Sequence, residues 1–407
     1  MEIKTVTTEK FLFGGNSLAK IDNKSVFIPY AIPGETLSIN IVQHKNDYDN
    51  AEIIEIINPS EHRVTPPCKY YGICGGCNMM HIDTDYQHEL RKQMLTDTFA
   101  QFKIDVSDKI EIIKAEDYNY RSRFQFTNGG LSQKNTNNII NIENCLCADK
   151  NINNFLQNTE FSKRPKGRIH IFGSDKIISD EKIKIETNNQ NDRNSGIKLK
   201  GKGKIKKVKE NHYFSGTILS PENQITVKLD NKNITFDVRG FFQSNLTVFE
   251  KVLTLICNTL PEGNSVLDMY SGCGSISAFL ADKFKQVTLV EHNRDAIVFA
   301  EQNMAGTNHK SFGLSGASWV KTCAPSLPPF DACVVDPPRS GMEKEVLEYL
   351  CNSKIPFIRS LSCDPVTHAR DAEKLIKAGY KLEKLYLLDF YPHTSHIESL
   401  AIFNLEI

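Results

Sequence analysis

From residue 246 onward the chain alternates between two periods, and this alternation most restricts its fold. A helical pattern over 246–260 precedes an apolar run, Ser265-Val266-Leu267-Asp268-Met269-Tyr270, that breaks into Ser271-Gly272-Cys273-Gly274-Ser275. Further strand-like runs at 286–291, 331–335 and 355–361 are each followed by a turn, and helical periodicity covers 295–305 and 366–378. Strands and helices in strict alternation predict a doubly wound parallel sheet whose ligands sit at the carboxyl ends of its strands. Four of those ends carry chemically suggestive residues: the glycine turn after Tyr270, Glu291, Asp336-Pro337-Pro338-Arg339, and Ser362-Cys363-Asp364-Pro365.

The glycine turn lets backbone approach a ligand closely, and an acid ending the next strand, Glu291, suits ribose hydroxyls. There is no third glycine at dinucleotide spacing and no phosphate-binding lysine, so adenosine without a pyrophosphate fits better, as in S-adenosylmethionine (SAM). In amino-group methyltransferases an aromatic residue usually follows the paired prolines and stacks on the target base. Arg339 stands there instead, and Cys363 on the following strand is its expected partner. A thiolate is what a pyrimidine C5 needs: addition at C6 makes C5 nucleophilic toward a methyl donor. A base must then remove the C5 proton so that the thiolate can leave. The tail Asp389-Phe390-Tyr391-Pro392-His393-Thr394-Ser395-His396-Ile397-Glu398 offers Glu398 as that base, with His393 expected to be structural.

Upstream the pattern is different. Short strands separated by turns (Gly14-Gly15, Asp22-Asn23) over residues 1–58 predict a small barrel, with Lys10, Lys20, Lys24 and Lys45 as candidate phosphate contacts. Past Pro66-Pro67 come Cys68, Cys74 and Cys77 around Gly75-Gly76, with Cys145 and Cys147 in a second group. Three close thiolates need a fourth for a closed site, and the spacing alone fits either a structural zinc or an iron–sulfur cluster. A helix is expected over 83–102 with Asp83 as N-cap, and a strand over 120–126 with Arg121 and Arg123 on one face and Phe124 and Phe126 on the other. Residues 188–195 read as a flexible loop. Lys198, Lys200, Lys202, Lys204 and Lys206 would form a charged strand edge suited to RNA backbone or to keeping the edge soluble.

A chain of 407 residues exceeds one core, so domains are expected at 1–58, 59–240 and 241–407. Lysine plus arginine equals aspartate plus glutamate at 49 each, which removes any global attraction to nucleic acid and leaves only local surfaces. No run reaches membrane-spanning length and no secretory leader opens the chain, so a cytoplasmic, monomeric protein is expected; eleven unevenly spaced cysteines there favour ligands and reactive or buried thiols over disulfides.

The stretches 14–20 and 26–35 resemble the TRAM domain, an OB-like barrel appended to RNA-modifying enzymes. Asp-Pro-Pro-Arg at 336–339, Ser-Cys-Asp-Pro at 362–365, the 390–398 tail and Phe-Phe-Gln-Ser-Asn at 241–245 resemble the RNA uracil-C5 methyltransferase family, and with the cysteines the likeness spans nearly the whole chain. That resemblance implies 5-methyluridine formation in structured RNA, with 23S rRNA favoured over tRNA, by Cys363 as nucleophile and Glu398 as proton acceptor. It implies SAM contacts at Gln243, Tyr270, Glu291 and Asp336, beside the turn residues Gly272, Gly274 and Ser275. It also implies a [4Fe–4S] cluster on Cys68, Cys74, Cys77 and Cys145, typical of the ribosomal-RNA branch. The chain departs from the family pattern at Ser271 and Ser275, and Cys147 competes with Cys145 as fourth ligand. A degenerate catalytic domain that only binds RNA is the competing reading; intact Cys363, Glu398 and SAM turn speak against it.

Overall fold

The computed structural model describes residues 2–178, 213–215, 218–220 and 224–406. The expected loop at 188–195 and the lysine edge at 198–206 lie outside the described residues.

The N-terminal unit is a six-stranded sheet of Ile3–Thr7, Lys10–Phe11, Asn16–Ile21, Lys24–Pro29, Thr36–His44 and Tyr48–Asn58. Alternation sends Val6, Ala19, Val26, Ile28, Leu37, Ile39 and Ala51 into one core. Asp22 and Asn23 both take positive φ (49° and 67°), as a tight hairpin between Asn16–Ile21 and Lys24–Pro29 requires. Three of the four candidate lysines are held by acids: Lys10 by Asp97 at 2.5 Å, Lys24 by Asp49 at 2.6 Å and Lys20 by Glu9 at 3.7 Å. Lys45 is exposed and forms no ion pair among the described residues.

The middle of the chain builds a small sheet from Arg123–Thr127, Arg168–Phe172, Tyr213–Ser215 and Ile218–Ser220, backed by the helix Lys150–Asn158. Phe124, Phe126, Ile152, Leu156, Ile169 and Ile171 fill the space between. Buried Arg164 is satisfied by the carbonyls of Gly129, Ile142, Leu156 and Thr159, so its charge ties loops rather than binding a ligand.

The largest sheet has eight strands: β1 (Ile110–Ile113), β2 (Gly263–Met269), β3 (Phe284–Val290), β4 (His309–Phe312), β5 (Ala332–Val335), β6 (Phe357–Ser362), β7 (Tyr380–Leu388) and β8 (Glu398–Leu405). Their order is β4-β3-β2-β5-β6-β8-β7-β1. The strand order reverses between β2 and β5, which puts a ligand crevice at their carboxyl ends. Side chains alternate across the sheet: Val266, Val287, Leu289 and Val334 enter one layer, and Leu267, Val290, Cys333 and Val335 the other.

Two features depart from the expected parallel sheet. β8 runs antiparallel between β6 and β7, because the chain reverses through the tight segment 389–397 and re-enters the sheet. β1, although it lies within 59–240, adds a parallel edge strand beside β7. The helix α1 (Thr84–Gln101), capped by Asp83 as expected, likewise packs its Leu90, Met94, Leu95 and Phe99 into this sheet's core. The middle segment is therefore threaded through the eight-stranded sheet rather than merely preceding it.

Candidate active site

β2 delivers the glycine turn. Beyond Met269 the backbone takes positive φ at Tyr270 (66°), Gly272 (55°) and Gly274 (76°), three left-handed residues in five, which swing the chain from strand into the helix α2 (Ser275–Leu280). Glu291 at the end of β3 fixes the turn: one oxygen accepts the Gly272 N–H at 2.9 Å and the other the Asn293 N–H at 2.6 Å. Buried Asp268 lies beneath, hydrogen-bonded by the Ser277 hydroxyl; burial pushes its carboxyl up to about 7.

β5 and β6 deliver the opposite wall. Asp336, Pro337, Pro338 and Arg339 follow β5, and Cys363 follows β6. Glu398 is the first residue of β8, and the ladder pairs Ser362 with Ser399. Cys363 and Glu398 are thus the residues just beyond the last rung of neighbouring strands. Burial pushes the Glu398 carboxyl up to about 8, with the Asp336 charge adding to this and Arg339 opposing it. Cys363 is pushed up to about 11 by burial, then by the charges of Glu398 and Asp336, again against Arg339. Asp336 itself is raised by burial to about 6. Three proton-holding groups and one guanidinium therefore share a partly dry corner, the setting in which perturbed groups mark functional sites.

Both walls face one cleft of about 1000 Å³ lined by Gln243, Tyr270, Gly272, Ser275, Glu291, Asp336, Arg339, Cys363 and Glu398. Of the residues expected to contact a cofactor, only Gly274 is absent from the lining. A Cβ there would meet Ala300 at 3.2 Å and Leu289 at 3.4 Å, so Gly274 serves helix packing. The chemistry of the lining suits SAM. Gln243 Oε1 and Ser271 Oγ are buried without a hydrogen-bond partner among the described residues, and both residues line the cleft. Such groups are unfavourable until a polar ligand meets them.

Sequence reading missed part of the lining: Phe299, Leu314, Gly316 and Glu343. Leu314 and Gly316 follow β4, whose His-Lys-Ser-Phe sequence carries no apolar period. Tyr270 binds Glu343 by accepting its backbone N–H at 3.1 Å. Phe241, 71% exposed, stands at the cleft. Arg121 also reaches the lining, whereas Arg123 is spent on the Gly240 carbonyl at 2.7 Å.

Cys68, Cys74, Cys77, Cys145 and Cys147 all line a second cavity of about 1150 Å³ between the N-terminal sheet and the middle segment. Cys77 and Cys147 sulfurs are 3.8 Å apart. This cysteine segment grips the tail that carries Glu398. The N–H groups of Asn78 and Met79 donate to the His393 carbonyl at 3.2 and 3.0 Å, the Asn78 side chain accepts the Ser395 N–H at 2.9 Å, and Tyr120 OH donates to the Pro392 carbonyl at 3.0 Å. α1 holds the same tail: Asp389 accepts from His88 at 2.7 Å and Arg91 at 2.5 Å, and Gln87 accepts the His393 N–H at 3.0 Å. His393, at φ 65° and 2% exposed, is structural as expected.

Residues 328–405 match the family described as tRNA (Uracil-5-)-methyltransferase, and residues 248–352 match the methyltransferase small domain. An uncharacterized RNA methyltransferase of Treponema denticola is 36% identical over 99% of this chain and 100% of its own length. A 23S rRNA (uracil(1939)-C(5))-methyltransferase of Shewanella sp. (strain MR-4) is 30% identical over 96% of this chain and 93% of its own. The crystal structure of Pyrococcus abyssi tRNA (uracil-54, C5)-methyltransferase in complex with S-adenosyl-L-homocysteine superposes with a TM-score of 0.70 at 19% identity, covering 98% of this chain and 100% of that one, and shares the fold.

Proposed function

The chain belongs to the SAM-dependent RNA uracil-C5 methyltransferase family, in its 23S rRNA branch, and we propose that it makes 5-methyluridine in 23S rRNA through a transient bond between Cys363 and uracil C6. The observation that carries this reading is the juxtaposition of Cys363 and Glu398 at the ends of β6 and β8, facing the cleft that also holds the glycine turn. Gln243, Tyr270, Gly272, Ser275, Glu291 and Asp336, which line the cleft, would hold SAM, which would supply the methyl group. Arg339 offsets the carboxylates around the thiol and so favours the thiolate. Once its proton has passed to solvent, Sγ attacks C6, electron density moves to C5, and C5 takes the methyl group as the S–CH3 bond breaks and its electron pair departs on the sulfur of S-adenosyl-L-homocysteine. Glu398, as carboxylate, then accepts the C5 proton; the C5–H electron pair restores the C5–C6 double bond and expels the thiolate. The target uridine, folded within RNA, flips out to reach Cys363.

The N-terminal sheet is proposed as a TRAM-type, OB-like RNA-binding unit. Cys68, Cys74, Cys77 and Cys145 are proposed as ligands of a [4Fe–4S] cluster, supported by a donor set of thiols around one cavity. Four cysteine ligands leave no open coordination site, so its role is structural. Iron, sulfide and zinc content of the purified protein separates this from a zinc centre. The described residues contain no helix long and apolar enough to cross a membrane.

The test is a covalent trap. With 5-fluorouridine RNA and SAM, the protein forms a stable adduct, since fluorine cannot leave as a proton; Cys363→Ala forms none. An adduct that survives Cys363→Ala overturns the mechanism. Mapping 5-methyluridine in 23S rRNA and tRNA of a deletion strain decides the substrate.

A further inference from the structure

The nucleophile, the arginine and the base come from three separate strand ends, so something must hold them in register. The helix α3 (Pro365–Lys377) touches all three. Its N-cap Asp364 accepts the N–H groups of Val366 and Thr367 at 3.0 Å each, and Ser362 Oγ bonds both ways across the Cys363 turn, donating to the Asp364 carbonyl at 2.9 Å and accepting its N–H at 3.2 Å. Thr367 Oγ1 donates to the Arg339 carbonyl at 3.2 Å, Arg370 donates to the Ser340 carbonyl at 3.1 Å, and Asp371 accepts the Met342 N–H at 2.8 Å. These bonds fix the Cys363 turn and the loop carrying Arg339 to one rigid element.

The base is attached to the same helix by a single side chain. His368 Nδ1 and Ser399 Oγ form a hydrogen bond of 2.7 Å, and Ser399 adjoins Glu398. The two residues are 2% and 0% exposed, and the His368 ring rests against the edge of Phe99 at 5.8 Å between centroids. On the buried side of this helix, which also carries Ala369, Asp371, Ala372 and Leu375, an imidazole is an unfavourable choice for packing alone. Burial pushes its imidazole down to about 4, with the Ser360 carbonyl opposing, so the ring is neutral throughout the working range. A neutral imidazole locked by one short bond fixes direction without adding charge beside the thiol.

We infer that His368 is a positioning residue for Glu398: through Ser399 it sets the base against the C5–H bond that Cys363 addition has activated. The inference rests on the proposed mechanism. It assigns His368 to proton removal alone, the step in which Glu398 takes the C5 proton and the thiolate leaves, and not to attack on C6.

The experiment separates those steps in the full-length protein, with rRNA transcripts containing uridine, 5-deuterated uridine or 5-fluorouridine. In His368→Leu, turnover falls about tenfold, the size expected for one lost hydrogen bond. The deuterium isotope effect on turnover rises above that of the unmodified protein, because proton removal becomes the slow step. Adduct formation on 5-fluorouridine RNA keeps its rate. His368→Asn, whose amide nitrogen stands where Nδ1 does, restores turnover and isotope effect, and Ser399→Ala, which removes one oxygen from the same bond, repeats the His368→Leu pattern. If His368→Leu is poorly folded, Ser399→Ala and His368→Asn carry the same comparison. An unchanged isotope effect in either deletion, or a His368→Asn no better than His368→Leu, overturns the inference while leaving the Cys363 mechanism standing. Absence of any adduct in the unmodified protein removes the mechanism itself, and the inference with it.

Discussion

Two regions of this molecule place cysteines in opposite settings. In the cleft, Cys363 stands alone among groups that hold or offset protons: Glu398, Asp336 and Arg339 are its strongest charged neighbours. In the cavity beside the N-terminal sheet, thiols are one another's neighbours. Cys68 feels Cys145, Cys74 feels both, and Cys147 lies against Cys77. Burial raises Cys68 and Cys74, and no carboxylate or imidazole among the described residues is a leading influence on either. The proposed nucleophile is a lone thiol among acids and an arginine, whereas the proposed cluster ligands are thiols that share the lining of one cavity.

The comparison breaks most sharply by exchanging lesions. Cys363→Ala should remove turnover by about four orders of magnitude or more, as loss of a nucleophile does, while circular dichroism and iron content stay unchanged. Cys74→Ser should do the reverse, losing iron and weakening RNA binding or folding, while whatever protein remains folded still forms the fluorouridine adduct. A Cys74→Ser protein that folds and binds RNA normally yet is catalytically dead would mean that the second region takes part in the chemistry.

Next in size is the base. Glu398→Gln should still methylate but release product about a hundredfold more slowly or worse, within the range for losing a general base. Raised to about 8, Glu398 is mostly protonated at neutral pH. The release rate should therefore climb about tenfold per pH unit below 8 and level off above it. Glu398→Gln should lose that rise, and a slope that persists in it assigns the proton to another group.

The tail joins the two regions, and its anchor can be tested by stability. Burial alone would raise Asp389, but Arg91 and His88 hold it down at about 2. Its folded pKa lies below its ordinary 3.8, so its contribution is complete above about pH 4 and is lost as pH falls through about 2. Asp389→Asn leaves Arg91 buried without its counter-charge and should destabilise by about 3 kcal/mol in urea unfolding. A loss below about 1 kcal/mol would show that other bonds hold the tail.

These regions also differ in how far sequence alone reveals them. The cleft was legible because each wall is a strand end marked by a short motif, and strand ends are where such folds bind ligands. Even so, β4 was missed because His309-Lys310-Ser311-Phe312 has no apolar period. The antiparallel course of β8 was missed because a buried strand has the same pattern in either direction. The grip of the cysteine segment on the tail had no signal at all. Asn78 and Ser395 are 317 residues apart, and one asparagine bonding backbone leaves no periodicity to read. Gly274 illustrates the converse: a glycine in the right motif is required by a close contact with Ala300 and by its φ of 76°, apart from any ligand.

The smallest effect separates binding from both thiol sites. Of the four lysines expected to meet phosphate, Lys10, Lys20 and Lys24 are engaged by acids and Lys45 is exposed without an ion pair among the described residues. If the N-terminal sheet contacts RNA backbone, Lys45→Ala should weaken RNA binding by no more than about fivefold. It should also lower the slope of log affinity against log salt by about one, because one fewer counterion is released. Lys24→Ala should leave that slope alone, since its charge is already neutralised by Asp49 at 2.6 Å. Equal slopes for Lys45→Ala and the unmodified protein would take Lys45 out of the RNA surface, without touching the chemistry at Cys363.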